Sequence, residues 1–446
     1  MIRQYIRDFT QAAQAKGIRH LNFYMEERRS RGVAVYEGEL EQLERCEQTQ
    51  LFIQGEVDGL SGSVFVENFD PTLMEGSIQC ILDSARAGSA PFVPYQLEKL
   101  ENVVEEMPEF IPLDRAVEAL EAGEKAAYAA DSRIIPGVQV HLTEQSTRVT
   151  LADEEQRFVS DLTGGGMAGL RLVVREDGQV QPGGKMTHFP AGELPDLADM
   201  AQSAADEAVS RLGAVSWQSG SFPVVLDSKV TAELLDAFMP AFFASNVQSH
   251  MSALDGRMGT SVAGENITIC EDPAVAGGLR RRRFDDEGVP TSAKEIVAGG
   301  QLRCWLHSRA TAAKDGAVSG GNGFKSRFQD PVAVGYTNVV IRPGEKSLEE
   351  LMADMGEGLL ITSVSGVFAG AHPTTGLFSL IAQGYEVTGG KRGRPVTRIT
   401  IAGNFFEMLE HVTAIGGDAH WKLAEHGCVC TPSLLVSALA ISGEEK

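Results

Sequence analysis

Leu377-Phe378-Ser379-Leu380-Ile381-Ala382, then Tyr385-Glu386-Val387-Thr388-Gly389-Gly390-Lys391-Arg392-Gly393-Arg394-Pro395-Val396, then Thr397-Arg398-Ile399-Thr400-Ile401-Ala402 run almost without interruption. Apolar and β-branched residues flank a glycine-rich basic centre, so the stretch reads as two strands joined by a hairpin with a basic tip. Working outward, short strands separated by glycine turns recur at Ile267–Cys270, Val332–Ile341 and Leu359–Val364, and helices interrupt only at Ser347–Met355 and about Phe405–Ala414. Strands in runs with few helices define an α+β protein and exclude a doubly wound parallel sheet.

Further upstream, Phe222-Pro223-Val224-Val225-Leu226 is an apolar strand, followed by a long apolar helix over about Thr231–Ser245. The polar break Ser216–Ser221 precedes that strand and places a domain boundary near residue 215. Before it, helical spacing fills the first sixteen residues, Pro71–Ala87, Leu113–Ala130 and Pro195–Leu212. Strands are expected at Leu21–Met25, Val33–Tyr36, Leu51–Gln54, Ser63–Val66, Val138–Leu142 and Arg148–Leu151. The prolines of residues 88–113 mark a surface crossing. The expected architecture is an N-terminal mixed α/β domain with an antiparallel sheet, residues 1–215, and a C-terminal β-rich domain, residues 216–446.

The chain of 446 residues is 43% hydrophobic and 22% charged, a composition that buries real cores and excludes long disordered tracts. Its net charge of −22 repels phosphate backbones and anionic lipid, so neither nucleic acid nor membrane is an expected partner. It is compatible with cationic peptide clients. No stretch approaches the roughly 18–20 apolar residues that cross a bilayer, and Met1–Asp8 interleaves charge where a secretory signal would be apolar. Cys46, Cys80, Cys270, Cys304, Cys428 and Cys430 are too sparse for a disulfide scaffold. Reduced thiols and a cytoplasmic location are expected.

Familiar catalytic motifs are missing. Gly164-Gly165-Gly166-Met167-Ala168-Gly169 matches G-x-G-x-x-G, but the strand Leu170–Val174 follows where a phosphate-binding helix is required, so a glycine-rich turn between strands is expected. Gly183-Gly184-Lys185-Met186 lacks the first glycine of a Walker loop and the hydroxyl that would ligate magnesium. None of the nine histidines is followed by glutamate and no two lie three to five residues apart, which excludes the helical zinc motif. A compact donor cluster does exist: His420, His426, Cys428 and Cys430. Its spacing matches no usual finger or ribbon, and two small buried thiols beside surface histidines is the plainer account. There is no G-x-S-x-G elbow, and Arg280–Arg283, followed by Asp285-Asp286-Glu287, reads as a solvated, self-neutralised arm. The residues alone name no catalytic group.

Several segments, taken in order, resemble the TldD/PmbA family and its PmbA (TldE) branch. They are Tyr36–Glu41, Asp58–Ser63, Asp83–Ala85, Phe284–Thr291, Gly356–Thr362, Thr374–Ser379 with Gly384-Tyr385, Ile399–Asn404 and Pro432–Val436. The resemblance implies cytoplasmic proteolysis. TldD-type members of this family of DNA gyrase modulators and metalloproteases carry a helical histidine–glutamate–histidine zinc site and a cysteine ligand near the C-terminus. PmbA-type chains lack it and pair with a TldD-type chain around a channel for unfolded peptide. The stretch corresponding to the zinc helix, Val230–Phe238, has no histidine, although Cys428 lies near where the active branch keeps its cysteine. The leading expectation is therefore a peptide-binding subunit with no metal site of its own, whose zinc resides in a TldD-type partner, or which works as a homodimer. A self-sufficient peptidase using the 420–430 region and a non-enzymatic regulatory binding protein are the alternatives.

Overall fold

Six antiparallel strands form the first sheet, in the order β3-β2-β1-β4-β5-β6: β1 Leu21–Tyr36, β2 Glu39–Val57, β3 Leu60–Val66, β4 Gln139–Asp153, β5 Phe158–Glu176 and β6 Gln179–Phe189. The computed structural model describes residues 2–103 and 105–443, so the outermost ends of the two expected domains, at 1 and 446, lie outside the described residues. Hairpins β1–β2 and β2–β3 turn at Glu37-Gly38 and Asp58-Gly59, where both residues of each pair have positive φ. That is the turn whose twist matches paired strands.

Four helices cover one face of the sheet. Helices α1 (Ile2–Ala15) and α2 (Met74–Ala87) pack over Leu21, Phe23, Met25, Leu51 and Ile53. Helices α3 (Leu113–Ala130) and α4 (Leu197–Ser210) pack over Val33, Val35, Val140, Leu142, Leu170 and Leu172. The buried β1 residues of both cores have odd numbers, so by the two-residue period of a strand both helix pairs share a face.

Three expectations for this half need correction. Leu21–Met25 and Val33–Tyr36 are not separate strands, because the polar residues between them pair on both sides, with β2 and β4. The strands expected at Val138–Leu142 and Arg148–Leu151 are likewise one, β4, whose polar middle pairs with β1 and β5. Gly164–Gly169 is not a turn but the interior of β5. A Cβ on Gly166 would sit 2.0 Å from the Phe189 ring, so the glycine makes room for a side chain of the neighbouring strand.

The second half contains, in chain order, β7 Gly220–Leu226, α5 Ser228–Phe238, α6 Ala244–Gln248, β8 Ile269–Glu271, β9 Lys294–Ala298, β10 Gln301–Leu302, α7 Arg309–Asp315, β11 Gly323–Phe324, β12 Ala333–Val334 and β13 Asn338–Ile341. It continues with α8 Leu348–Met355, β14 Gly358–Ser365, α9 Val367–Gly370, β15 Ala371–His372, β16 Leu377–Thr388, β17 Lys391–Asn404, α10 Phe405–Glu410, β18 Val412–Ile415, β19 His420–Leu423, β20 Cys428–Thr431 and β21 Leu434–Gly443. In the larger sheet β14, β7, β21, β17 and β16 pair in succession, and β14 also pairs with β16, so these five strands close on themselves. A second sheet runs β10-β9-β8-β13-β20-β19 and ends on β19.

The apolar helix expected over Thr231–Ser245 is interrupted: α5 stops at Phe238 and Pro240 sits in a 3₁₀ turn before α6. Proline has no N–H to continue the ladder. Phe238 stacks on Phe405 with ring centroids 4.6 Å apart in the core that joins the two sheets. The helix expected over Phe405–Ala414 is also shorter, because Val412–Ile415 pairs with β21 as β18.

Candidate functional site

The uncovered face of the first sheet meets the second half across a cavity of about 2260 Å³. Tyr24, Glu26, Arg28 and Ser30, the even-numbered positions of β1, line it. Opposite stand the first turns of α5, residues 277–282, residues 325–329 and β19. Both β6 and β19 are terminal strands of their sheets, and both line the cavity, one from each side. Apart from the buried Arg31–Glu144 pair, the lining holds nine Lys or Arg against six Asp or Glu, a reversal of the balance of a chain carrying −22.

The arginine run is built into the cavity wall rather than solvated. Residues 280–283 form no strand, and Arg282 is only 8% exposed, its guanidinium 2.7 Å from Asp286. Arg280 lies over the Phe324 ring at 4.6 Å. Arg283 crosses to the first sheet, where its backbone N–H and Nε donate to the Asp161 carboxylate of β5 at 2.6 and 3.1 Å. Nearby, the Lys325 ammonium sits 4.2 Å from the Phe52 ring centroid and donates to the Phe328 and Asp330 carbonyls. Burial pushes its pKa down to about 8. Burial and the adjacent Glu287 push the Asp285 carboxyl up to about 7, although Asp285 accepts N–H bonds from Glu287, Val289 and Gly323. With Tyr24, Leu97, Val149 and Leu151 packed on Phe284 and Phe328, these contacts fix the two halves about the cavity.

The four sequence-nominated donors are not gathered. Cys428 and Cys430 share one face of β20 and are buried, which pushes their thiols up to about 12 and about 11. His420 pairs with Thr431, so it projects from the opposite face. His426, in the loop, stands edge-on to the Phe243 ring. Among the described residues no three His, Cys, Asp or Glu side chains are grouped to hold a metal ion.

Two other groupings are present around α5. In one, the Lys422 ammonium of β19 lies 2.7 Å from Glu233 and 2.8 Å from Asp236 of α5, and the Tyr336 hydroxyl donates to Asp236 at 3.3 Å. In the other, Lys185 and His188 of β6, Lys229 of α5 and His420 of β19 all line the cavity. Burial, then Lys229 and Lys185, push the His420 imidazole down to about 4. Sequence reasoning missed both groupings. The i, i+3 spacing of Glu233 and Asp236 on an apolar helix was the one available signal; the partners on β6 and β19 are distant in sequence.

Residues 219–443 match the PmbA/TldA metallopeptidase C-terminal domain, and residues 106–212 the PmbA/TldA metallopeptidase central domain. The two matches put the fold in one class, and the chain belongs to the PmbA/TldD family. A metalloprotease PmbA homolog of Haemophilus influenzae is 28% identical over 349 residues, covering 75% of this chain and 71% of that protein. A metalloprotease of Methanothermobacter thermautotrophicus is 29% identical over 255 residues, covering 56% and 55%. The chain spans about half the length of the first such curated relatives. Among solved structures, a Thermotoga maritima protein described as a candidate modulator of DNA gyrase superposes with a TM-score of 0.86 at 26% identity, covering 99% of this chain and 100% of that one. TldE from Thermococcus kodakarensis superposes with a TM-score of 0.87 at 21% identity, covering 98% and 100%, a likeness of fold. The protein is a metalloprotease-like member of this family.

The family name implies a metal ion, and the residues on α5 do not fit one. Glu233 and Asp236 already receive the Lys422 ammonium, which repels a second cation. The buried Cys428 thiol, pushed up to about 12, is no ready thiolate. Among the described residues no helix is long and apolar enough to cross a membrane.

Proposed function

We propose that this chain is a PmbA/TldE-type cytoplasmic subunit that binds extended, unfolded peptide in the cavity and completes a metalloprotease complex whose zinc and catalytic groups belong to a TldD-type partner. The observation that carries the reading is the Lys422–Glu233–Asp236 triad: one ammonium ion is paired with both α5 carboxylates that face β19. The two terminal strands that line the cavity, β6 and β19, offer backbone N–H and C=O groups to which a peptide adds as a further strand. Residues 1–215 and 216–446 act as the two domains that enclose the peptide. Phe368, fully exposed on α9, and Leu377 and Ile381, four positions apart on β16, supply apolar surface for the partner.

Co-expression with a TldD-type chain tests the assembly. A stable complex that cleaves an unfolded protein, with the isolated chain inert, is the expected result. An isolated homodimer that cleaves the same protein would overturn the subunit role. Substituting Phe368→Asp should weaken the complex while leaving the chain folded.

A further inference from the structure

Lys185, His188, Lys229 and His420 come from three elements of both halves and line one cavity, where the first three lie near enough for their charges to act on His420 and so mark out one corner. Among the described residues, none of the four side chains makes a hydrogen bond or ion pair, and the charged groups acting on His420 are all basic: Lys229, Lys185, His188 and Lys422. Of the nearby carboxylates, Glu207 holds Arg211 at 2.7 Å and Glu233 holds Lys422, while Asp227, which caps α5 by accepting the Lys229 backbone N–H, feels the Lys229 charge without forming an ion pair with it. The Lys185 and Lys229 ammonium groups, neither in an ion pair among the described residues, repel one another at the wall of a large cavity beside two imidazoles whose pKa burial lowers, and an anion entering between them relieves that repulsion.

We propose that this corner binds a carboxylate of the peptide, with Lys185 and Lys229 donating charge-assisted hydrogen bonds and the two imidazoles flanking them. The inference rests on the peptide-binding reading above and deepens it. Strand addition to β6 or β19 holds backbone without regard to sequence, whereas this corner fixes where a chain end or an acidic side chain stops. The expectation drawn from net charge alone, cationic clients, is reversed inside the cavity.

The test uses the full chain and N-terminally labelled, unstructured, otherwise neutral peptides, followed by fluorescence anisotropy. One peptide ends in a free carboxylate, one in an amide, and one is amidated with a single internal glutamate. The free acid should bind about tenfold more tightly than the amide, the worth of one charge-assisted contact. Tight binding of the glutamate peptide as well would assign the corner to acidic side chains; weak binding would assign it to chain ends. The Lys185→Met, Lys229→Met double variant should lose the preference and keep the amide's affinity, and the corresponding double arginine variant should retain it. Equal binding of acid and amide to the wild type, or a preference that survives the methionine variant, overturns the carboxylate site but leaves peptide binding intact. A separate probe, N-acetylalanine against its amide, read by the Lys229 amide resonance, addresses the corner alone. A shift with the acid only, without binding of any longer peptide, upholds the corner and rejects the channel; no shift with either rejects the corner.

Discussion

The two faces of the first sheet are made by the same strands and have opposite characters. On β4, Val140, Leu142 and Glu144 are buried toward the helices, while Thr143 and Gln145 are exposed toward the cavity. The helix-covered face even contains a charge pair, Arg31 with Glu144, each 2% exposed at the side chain. Glu144 also accepts the Ile111 N–H at 2.9 Å, and Arg31 donates to the Ile111 carbonyl, so the pair fastens the 88–113 crossing to the sheet. One residue away, Arg28 of β1 reaches Gln145 through open cavity. Because successive side chains point to opposite faces, a single strand serves the core with one set of residues and the ligand space with the other. Substitutions should therefore sort by alternate position.

The largest effect is expected on the covered face. Glu144→Ala leaves Arg31 charged and unpaired in the interior, a loss of about 3–5 kcal/mol, readable as a lowered urea midpoint. Gln145→Ala, its neighbour, should cost under about 0.5 kcal/mol. Equal losses at the two positions would break the comparison. Next comes Gly183→Ala at β6, where an added Cβ would stand 2.0 Å from the Ala204 carbonyl oxygen of α4. The helix must move, at about 1–3 kcal/mol, again seen in urea.

Those two positions also show what the sequence could disclose. The turns and helices of the first half, and the apolar ends of its strands, were legible because period and turn chemistry are local: Asp58-Gly59 and the Leu113–Ala130 helix stand where the residues put them, whereas the polar middles of β1 and β4 and the whole of β6 were not read as strand. Gly164–Gly169 and Gly183-Gly184 were not legible either, since their meaning lies in the Phe189 ring and the α4 carbonyl packed against them. The arginine run failed for the same reason. Its partner Asp161 is more than a hundred residues away, and only the tertiary fold turns a charged arm into a link between halves. The candidate site was less legible still: of its four basic residues, only His420 had been singled out as a site candidate, and in company with cysteines that face the other way.

Smaller effects sharpen the contrast at the cavity. Lys422→Met leaves Glu233 and Asp236 facing each other, but both are partly solvated, so the loss should be about 1 kcal/mol or less; salt should shrink it further. The pH dependence of His420 has a definite sign. Its pKa falls on folding, from an ordinary 6.5 to about 4, so the stability it contributes is present above 6.5 and is lost as pH falls toward 4. His420→Gln should therefore flatten the acid limb of the urea midpoint between those values. Asp285 acts in the reverse direction: with its pKa raised to about 7, its contribution is full below 3.8 and is lost as pH rises through 7. His420→Gln should leave that rise untouched.

The central claim, a peptide-binding subunit that carries no metal of its own, is tested most directly by zinc content. The purified chain, dialysed gently and analysed by mass spectrometry alone and in complex with a TldD-type partner, should hold well below one zinc alone, and the complex should gain zinc with the partner. One tightly held zinc in the isolated chain, lost in Cys428→Ala, would contradict the account.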